Sequence, residues 1–357
     1  MEFAIFLIIY NVVLFIYIKI ILILVFLFFI DKNTFSWFNF IMVKFVEESN
    51  FKKNYQNLIL PYINKRRSNG YFNSENATKL FYSFFKADKE RGAVILLHGY
   101  TESIEKYLEL IYYFLQDGLS VYAYDQRGHG KSTRVIEDYS LVHVDSYKSY
   151  LLDLEFFIEY VIPKKEIPLY AYAHSMGGAV MSLYLEKGYT KIKKVILNAP
   201  LHGLATPKIP SFLTKIIIFP FAVFSPRKKA FFIKKHPYYK PFEKSNYTSL
   251  ARYENYENFR QNTLEYTTCA RTYKWIYQSL KAVSKIMKNG NVEKINVPVQ
   301  IYSAEFDKTV DNVSHVKFVK RLRYGTYKLI KNAKHEIFNS TNVVLKPYVL
   351  NVLSYLK

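Results

Sequence analysis

Short apolar runs alternate with segments of helical spacing along most of the chain after residue 70. Each short run predicts a buried strand, and apolar residues three and four positions apart predict an amphipathic helix. The predicted strands cover residues 79–86, 93–97, 121–124, 168–172, 195–198, 297–303 and 327–330. The predicted helices cover residues 104–115, 147–160, 176–186, 273–287, 312–322 and 341–356. This alternation predicts an α/β fold with a mostly parallel central sheet and helices on both faces.

The alternation stops between residues 201 and 292. Prolines recur in the first half of this stretch, and short apolar helical pieces lie between them, notably at 212–224. We interpret the stretch as a helical cap inserted over the carboxyl edge of the sheet. The main domain then covers residues 71–357, and a connector of mixed composition at 32–70 precedes it.

Residues 3–30 are almost continuously apolar, and only Asn11 and Lys19 interrupt the run. As a helix this stretch would be about 42 Å long, enough to cross a bilayer core of roughly 30 Å with tilt. We predict a membrane-associated protein with a single N-terminal anchor or uncleaved signal at 1–31. A cleaved signal peptide and a buried helical hairpin with the next segment are the alternatives. Basic residues after the run weakly favour a cytosolic main domain.

Ser175 stands at the junction of a predicted strand and a predicted helix. Ala173 and Gly177, two positions to either side, are small enough for strand and helix to approach closely. Such a turn, a nucleophile elbow, holds the serine hydroxyl beside the free N–H groups of a helix N-terminus. Ala173 replaces the first glycine of the G-x-S-x-G pattern, which weakens the match. A helix N-cap serine after a buried strand is the alternative interpretation.

Other polar residues follow strands of the same predicted sheet, namely His98-Gly99 and the loop at 125–132. Ligands of such sheets bind at the carboxyl ends of the strands, and these ends share one edge. We therefore expect these residues to lie near Ser175, which favours the nucleophile elbow.

A serine hydroxyl becomes a good nucleophile when a base removes its proton and a carboxylate orients the base. Of the eight histidines, His335 alone follows the last predicted strand. Asp307 follows the preceding strand and produces the chain order Ser, Asp, His, although Glu305 and Asp311 are close competitors. A surface loop histidine is the alternative interpretation of His335.

An oxyanion needs two fixed N–H donors. We expect the first to be the backbone N–H of Met176, directly after the serine, and the second to be that of Tyr100, in the loop after an early strand. No cluster of Cys and His with metal-ligand spacing is present, and no glycine-rich phosphate loop is complete. The sequence therefore predicts neither a metal nor a cofactor.

The chain is strongly basic, with 50 Lys and Arg against 29 Asp and Glu and a formal charge of +21. Such a surface favours anionic membranes or nucleic acid, but no nucleic-acid-binding motif accompanies the charge. We interpret most of the charge as solvated surface lysine and expect no nucleic-acid partner. Cys269 is the only cysteine, so an internal disulfide is impossible and stability must come from the core.

Several short motifs of the main domain are specific as a set. They are His98-Gly-Tyr-Thr-Glu102-Ser, Asp125-Gln-Arg-Gly-His-Gly-Lys-Ser132, Ala173-His-Ser-Met-Gly-Gly178, Asp307 with Val310, and His335-Glu-Ile. Together they resemble the monoacylglycerol lipase and lysophospholipase group of α/β-hydrolases, S33-type hydrolases similar to lysophospholipase L2. The resemblance implies a triad of Ser175, Asp307 and His335, an oxyanion hole at Tyr100 and Met176, and hydrolysis through an acyl-enzyme. The apolar run at 3–30 lies outside the family pattern.

The predicted function is hydrolysis of lysophospholipids or monoacylglycerols by a membrane-associated serine hydrolase. The apolar piece at 212–224 suits an acyl-chain tunnel, and the basic residues at 226–229 suit a phosphate head group; a plainly packed cap is the alternative. A general carboxylesterase or S33-type peptidase would use the same scaffold. A membrane-anchored lipid-binding protein without activity is the non-enzymatic alternative, and the intact triad argues against it.

Overall fold

The computed structural model describes Lys19 and residues 43–164, 166–188, 190–205, 211–230 and 240–357. The anchor predicted at residues 3–30 therefore lies outside the described residues, apart from Lys19. Among the helices that are described, none combines the length and apolar character needed to cross a membrane. The chain divides into two compact units, Met1–Val43 and Lys44–Lys357, and the elements below belong to the second unit.

A central sheet of eight strands organises the second unit, and two further short strands form a small sheet of their own. The strands are β1 (Arg67–Asn73), β2 (Lys79–Phe85), β3 (Gly92–Leu97), β4 (Leu119–Tyr124), β5 (Leu141–Val142), β6 (Leu169–His174), β7 (Ile192–Asn198), β8 (Ala270–Arg271), β9 (Val299–Ala304) and β10 (Gly325–Ile330). The order in the large sheet is β1-β2-β4-β3-β6-β7-β9-β10, and β5 pairs with β8. The pairs β1–β2 and β2–β4 are antiparallel and the others are parallel. This arrangement confirms the predicted α/β-hydrolase fold.

Helices flank the sheet and fill the insertion after β7. They are α1 (Phe51–Asn54), α2 (Leu60–Asn64), α3 (Leu108–Gln116), α4 (Lys148–Phe156), α5 (Met176–Leu185), α6 (Ser211–Phe224), α7 (Leu250–Gln261), α8 (Tyr273–Ile286), α9 (Asn312–Val319) and α10 (Asn342–Tyr355). Helix α3 contacts β4, α5 contacts β6, and α9 contacts β9. Every position of α5 is buried, because α5 packs between β6 and the helices α4 and α8.

Burial along the strands explains their sequences. Every residue of β3, β4 and β9 is buried, as expected of parallel strands that are covered on both faces and therefore read as continuous apolar runs. The edge strand β10 alternates exposed and half-buried residues instead. The carboxyl ends of β3, β6 and β9 thus come from rigid, buried elements, and they carry the residues of the candidate site.

The folded unit begins earlier than the main domain predicted at residues 71–357. Strand β1 starts at Arg67 and pairs with β2 over its full length. Phe51, Ile59 and Ile63 of the preceding helical segment are buried. The Arg67 guanidinium also lies 2.6 Å from the Glu105 carboxylate. Residues 44–70 of the predicted connector therefore belong to this unit. These residues are of mixed composition, and their few apolar side chains are buried only against the folded domain, so composition alone did not assign the segment to it.

The predicted cap stretch, residues 201–292, lies between β7 and β9 and contains α6, α7 and α8. Helix α8 buries one face, including Trp275, Ile276 and Leu280, against the body of the protein. Helix α6 packs on α8 and contacts it more than any other helix. The insertion is therefore helical, as its sequence predicts.

The orientation of α6 differs from the expectation of an acyl-chain tunnel. Only Ile218 and Ala222 are buried in its described side chains, while Phe224 is 85% exposed. Further exposed apolar side chains are Phe212, Leu213, Ile216, Ile217, Phe219, Phe221 and Val223. Helix α6 contributes Thr214 alone to the lining of the cavity described below. Helix α6 packs on α8 through a narrow stripe of side chains. Most of its apolar side chains therefore lie on the outer surface of the cap.

Candidate active site

Ser175 lies between the last residue of β6 and the first residue of α5, with φ 50° and ψ −114°. A positive φ is unfavourable for a residue with a Cβ, and this strained turn is the mark of a nucleophile elbow. The Ser175 N–H donates to the carbonyl of Asn198 at 3.1 Å, and its carbonyl accepts from the Leu201 N–H at 2.9 Å. These bonds hold the turn against the end of β7.

Glycine is required at one side of the elbow only. A Cβ at Gly177 would lie 2.6 Å from the carbonyl oxygens of both Leu97 and His98, and backbone cannot yield as a side chain does. Ala173, which replaces the first glycine of the pattern, fits fully buried in β6. The departure at Ala173 is therefore compatible with the turn.

Ser175, His335 and Asp307 form a hydrogen-bonded chain. His335 Nε2 lies 2.9 Å from Ser175 Oγ, and His335 Nδ1 lies 2.7 Å from Asp307 Oδ2. The second carboxylate oxygen of Asp307 accepts the N–H groups of Thr309 and Val310 at 2.8 and 3.0 Å. These bonds orient the carboxylate toward the imidazole. The geometry is that of a base held between a nucleophile and an acid.

The environment keeps Asp307 ionised. Burial by itself raises the pKa of this carboxyl, but the charge and hydrogen bond of His335 and the two backbone N–H donors lower it, and the net pKa lies below the ordinary value of 3.8. A carboxylate that remains charged can stabilise the imidazolium that forms when His335 takes a proton.

The two competing acids have other partners. Glu305 accepts from the Lys331 ammonium and from the backbone N–H of Asn332. Asp311 caps α9 through the N–H groups of Val313 and Ser314. The structure therefore brings Asp307, and neither Glu305 nor Asp311, to His335.

The two predicted oxyanion donors line the same cavity as Ser175 and His335. Met176 begins α5, and Tyr100 follows β3. The hydrogen bonds of the described residues include none from the backbone N–H of Tyr100 or Met176. Both N–H groups are thus available to an oxyanion beside the serine.

A charged network that the sequence did not suggest supports this region. Glu102 accepts the Gly99 N–H at 2.6 Å, and it also accepts the Tyr107 hydroxyl. Lys106 lies 3.0 Å from Glu102 and 2.8 Å from Glu336. All three charged side chains are more than nine-tenths buried. The motif at residues 98–103 contained Glu102, but its ion pair with Glu336 joins segments far apart in sequence.

Opposite charges keep this network ionised despite its burial. Burial raises the pKa of Glu102, but Lys106, His174 and the Tyr107 hydroxyl together outweigh that effect and hold the pKa well below the ordinary range. Burial lowers the pKa of Lys106, but Glu102 and Glu336 together raise it above the ordinary value. A buried charge of this kind is stable only while all its partners are present.

The loop at residues 125–132 braces the loop that carries Tyr100. Asp125 accepts the N–H groups of Ile104 and Lys131 at 2.9 and 3.0 Å. The Gln126 side chain donates to the carbonyl of His98 at 2.6 Å, and the Gln126 N–H donates to His98 Nε2 at 2.8 Å. Burial lowers the pKa of His98 to about 4, so its ring stays neutral and accepts. This loop therefore shapes the site without reaching the serine.

A cavity of about 570 Å³ opens on the serine and extends under the cap. Leu201, Leu204 and Ile276 supply apolar lining, while Lys240, Arg260 and Arg271 supply cations. The volume lies within the range of small-molecule sites. No group of metal-ligating side chains occurs in the part of the chain that the structure describes.

The family model described as serine aminopeptidase, S33, matches residues 88–342. The chain belongs to the S33 family. The matched range of this S33 protein includes Ser175, Asp307 and His335, and it also includes the insertion that forms the cap.

Individual relatives extend this assignment. Lysophospholipase L2 of Escherichia coli is 29% identical over 264 residues, which are 71% of this S33 protein and 76% of the relative. Monoglyceride lipase of Saccharomyces cerevisiae is 27% identical over 272 residues, which are 70% of this chain and 79% of the relative.

Solved structures show the same fold. A soluble variant of the Saccharomyces cerevisiae monoglyceride lipase, in complex with a substrate analogue, superposes with a TM-score of 0.67. The two proteins are 25% identical, and the match covers 81% of this S33 protein and 94% of the lipase. The resemblance inferred from the motifs is therefore confirmed, including the α/β-hydrolase fold.

Proposed function

We propose that this S33 family member cleaves the acyl ester of lysophospholipids or monoacylglycerols through an acyl-enzyme at Ser175. The observation that carries the proposal is the hydrogen-bonded chain from Asp307 through His335 to Ser175, which opens on a cavity with two free N–H groups. This constellation is suited to acyl transfer and to little else.

The proposed reaction follows from the geometry. His335 Nε2 takes the proton of Ser175 as its oxygen attacks the ester carbonyl, and Asp307 stabilises the resulting imidazolium. The N–H groups of Tyr100 and Met176 stabilise the tetrahedral oxyanion. The imidazolium then protonates the departing glycerol oxygen. Water, activated by the same base, releases the fatty acid and restores the serine.

The substrate class rests on the relatives and on the cavity. Two relatives are named lysophospholipase and monoglyceride lipase, and both names describe glycerolipids with one acyl chain. The cavity combines apolar lining with charged groups, as an acyl chain joined to a polar head requires.

The decisive experiment compares the full chain with Ser175→Ala on oleoyl lysophosphatidylcholine and oleoylglycerol, with release of oleate as the readout. We expect hydrolysis by the wild type and labelling of Ser175 by a fluorophosphonate, both absent in the variant. Folded wild-type protein that neither reacts with the probe nor releases oleate would overturn the proposal and favour a non-catalytic lipid-binding protein. Hydrolysis of aminoacyl amides or short esters in preference to both lipids would favour a peptidase or a general carboxylesterase.

We also propose that the protein acts at an anionic membrane surface. The outer face of α6 presents Phe212, Ile216 and Phe224, and Arg227, Lys228 and Lys229 follow directly. Apolar side chains next to basic ones are the chemistry of interfacial helices, which bury the former among acyl chains and pair the latter with anionic lipids. The predicted anchor at 3–30 would hold the protein at the same surface.

One comparison tests the membrane proposal separately from the catalytic one. We expect Ile216→Asp and Phe224→Asp to reduce hydrolysis of oleoylglycerol in anionic vesicles, with hydrolysis of a water-soluble short-chain ester unchanged. Val343→Asp is the matched control, because Val343 is 85% exposed outside the cap. Equal rates of all three variants on vesicles would exclude α6 as the contact surface.

A further inference from the structure

Arg271 is a cation in the catalytic cavity that has no carboxylate partner among the described residues. It ends β8, two residues before the first residue of α8, and its backbone carbonyl accepts the N–H of Ala230 at 3.2 Å. None of the ion pairs between described residues includes Arg271. The cap residues outside the description, 206–210 and 231–239, contain no Asp or Glu. No acid of the cap is therefore left to neutralise this guanidinium.

The other charged residues that line the cavity differ from Arg271 in having partners or in being exposed. The basic lining residues are Lys106, Lys240, Arg260, Arg271 and Lys308, and the acidic ones are Glu102, Glu257 and Glu336. The acids are already engaged, two by Lys106 and one by Arg260. Of the cations that remain, Lys240 and Lys308 are exposed at the rim, whereas Arg271 is half-buried. Lys106, Arg260 and Arg271 thus match the three acids in number, but Lys106 holds two of them, and the charge of Arg271 has no acid beside it among the described residues.

Aromatic rings hold this guanidinium beside the reacting groups. Its central carbon lies 5.2 Å from the centre of the Tyr100 ring and 5.9 Å from that of Trp275. A cation over an aromatic face is partly stabilised, so these two rings stabilise a guanidinium that has no carboxylate beside it among the described residues. Tyr100 also carries the backbone N–H assigned to the oxyanion. Arg271 therefore contacts the side chain of the residue whose backbone N–H is assigned to the oxyanion, and it lines the same cavity as Ser175.

We propose that Arg271 binds the phosphate of an anionic lysophospholipid in the catalytic cavity and so determines head-group specificity. This assignment rests on the proposed ester hydrolysis. A guanidinium pairs with two phosphate oxygens at once, and only a glycerol backbone separates ester from phosphate in such a lipid. Lys240 and Lys308 at the rim complement the same negative charge.

The test compares two substrates that differ in the phosphate-bearing head group alone, oleoyl lysophosphatidylglycerol and oleoylglycerol. Both are presented to the full chain in micelles of a neutral detergent at fixed ionic strength, so that attraction to the surface is the same. We expect Arg271→Gln to lower kcat/KM for the charged lipid about tenfold, equivalent to one charge-assisted contact. Oleoylglycerol hydrolysis should change less than about twofold, and Arg271→Lys should retain part of the preference.

Arg323→Gln is the control, because Arg323 is an exposed arginine that lies outside the cavity lining. Its kinetics should match the wild type on both lipids. An equal loss for both lipids in Arg271→Gln would mean that the guanidinium only braces Tyr100 and Trp275, which would overturn the proposal. An unchanged ratio of the two kcat/KM values would overturn it as well.

A binding measurement keeps this inference separate from hydrolysis. Calorimetry on full-length Ser175→Ala with hexanoyl lysophosphatidylglycerol and hexanoylglycerol needs no turnover. We expect tighter binding of the charged ligand, and loss of the difference in Ser175→Ala/Arg271→Gln. If the wild type hydrolyses neither oleoyl lipid, ester hydrolysis fails while this comparison still decides the role of Arg271. Inorganic phosphate that binds as tightly as the charged lipid would assign the site to free phosphate and overturn the head-group assignment.

Discussion

The ammonium of Lys106 lies 2.8 Å from the carboxylate of Glu336, the residue that directly follows His335. The same ammonium lies 3.0 Å from Glu102, which accepts the N–H of Gly99. One buried cation therefore links the loop of the proposed base with the loop of a proposed oxyanion donor. The stacked rings of Tyr107 and Phe338, whose centres lie 4.5 Å apart, join the same two segments, so the ion pair and the ring contact together fix the relative position of the loops.

Removal of Lys106 should destabilise the protein strongly. Lys106→Met leaves Glu102 and Glu336 buried without their cation, and we expect the free energy of unfolding to fall by ~3–5 kcal/mol. Urea unfolding followed by circular dichroism measures the change. Lys346→Met is the control, because Lys346 pairs with Glu47 at an exposed site, where a pair is worth about 0–1 kcal/mol. Similar losses in the two variants would contradict the linking role.

Glu102 should affect turnover because its carboxylate accepts the N–H of Gly99 and so positions the loop that carries Tyr100. Glu102→Gln keeps an oxygen for the Gly99 N–H and should retain more activity than Glu102→Ala, which loses it. We expect the alanine variant to lower kcat by ~10²-fold, the scale of one lost oxyanion donor, with little change in KM. Steady-state kinetics on a soluble ester separates the two constants. A rise in KM alone, or no advantage of glutamine over alanine, would argue against positioning of the oxyanion loop.

Asp307 and Asp311 provide a matched pair of acids. Asp307→Asn removes the acceptor that orients His335 Nδ1, and we expect kcat to fall by ~10⁴-fold. Asp311→Asn keeps a side chain that caps α9 and should leave kcat within about twofold. Rates of fluorophosphonate labelling at Ser175 report the same difference without a lipid substrate. Similar rates in both variants would refute the assignment of Asp307.

Gly177 should be far less tolerant than Ala173, although both flank the elbow. A Cβ at Gly177 meets two backbone carbonyls at 2.6 Å, so we expect Gly177→Ala to lower stability by ~1–3 kcal/mol and to slow Ser175 labelling. Ala173→Gly removes only one methyl group from β6 and should cost about 1 kcal/mol or less. Urea midpoints and labelling rates of both variants make the comparison. A Gly177→Ala variant with normal labelling would show that the turn can shift.

The buried His315 should make stability pH-dependent. Burial lowers its pKa to about 4, so the unfolded chain takes up this proton below pH ~6.5 and the folded chain does not. Stability therefore falls as the pH decreases through this window. His315→Gln loses hydrogen bonds to Ser303 and Pro200 and should be less stable at pH 7. The difference in unfolding free energy between the wild type and His315→Gln should then narrow by up to ~1.4 kcal/mol per pH unit between pH ~6.5 and ~4. If urea unfolding shows the same difference in free energy between the two proteins at every pH, the His315 imidazole is not buried in its neutral form.

The alternation of apolar runs and helical segments was enough to predict the parallel sheet. Side-chain periodicity is a local property, and continuous apolar strands are stable only where helices cover both faces. The same local rules identified the turn at Ser175 between small residues, but only the structure showed that Gly177 is more critical than Ala173. His335 and Asp307 were predicted from their position after strands, because the carboxyl ends of parallel strands meet at one edge.

Contacts between distant segments could not be read from these patterns. The contribution of residues 44–70 depends on anchors such as Phe51 and Ile63, which are apolar residues in a polar stretch until the sheet provides a surface for them. The exposure of the apolar side chains on α6 likewise depends on packing between segments that are distant in sequence. Composition shows that a helix is apolar, but its packing partner decides which side chains are buried.

The catalytic residues, too, were predicted from the sequence only in part. Residue type and spacing identified a serine, a histidine and an acid with the right chain order, but three acids near residue 307 were compatible with that order. Only the folded chain places Asp307 at His335 and joins Glu102 to Glu336 through Lys106, and only there does Arg271 lie without an acid among the described residues. Ion pairs form between whatever charges the packing brings within a few ångströms, and sequence distance carries no information about that proximity.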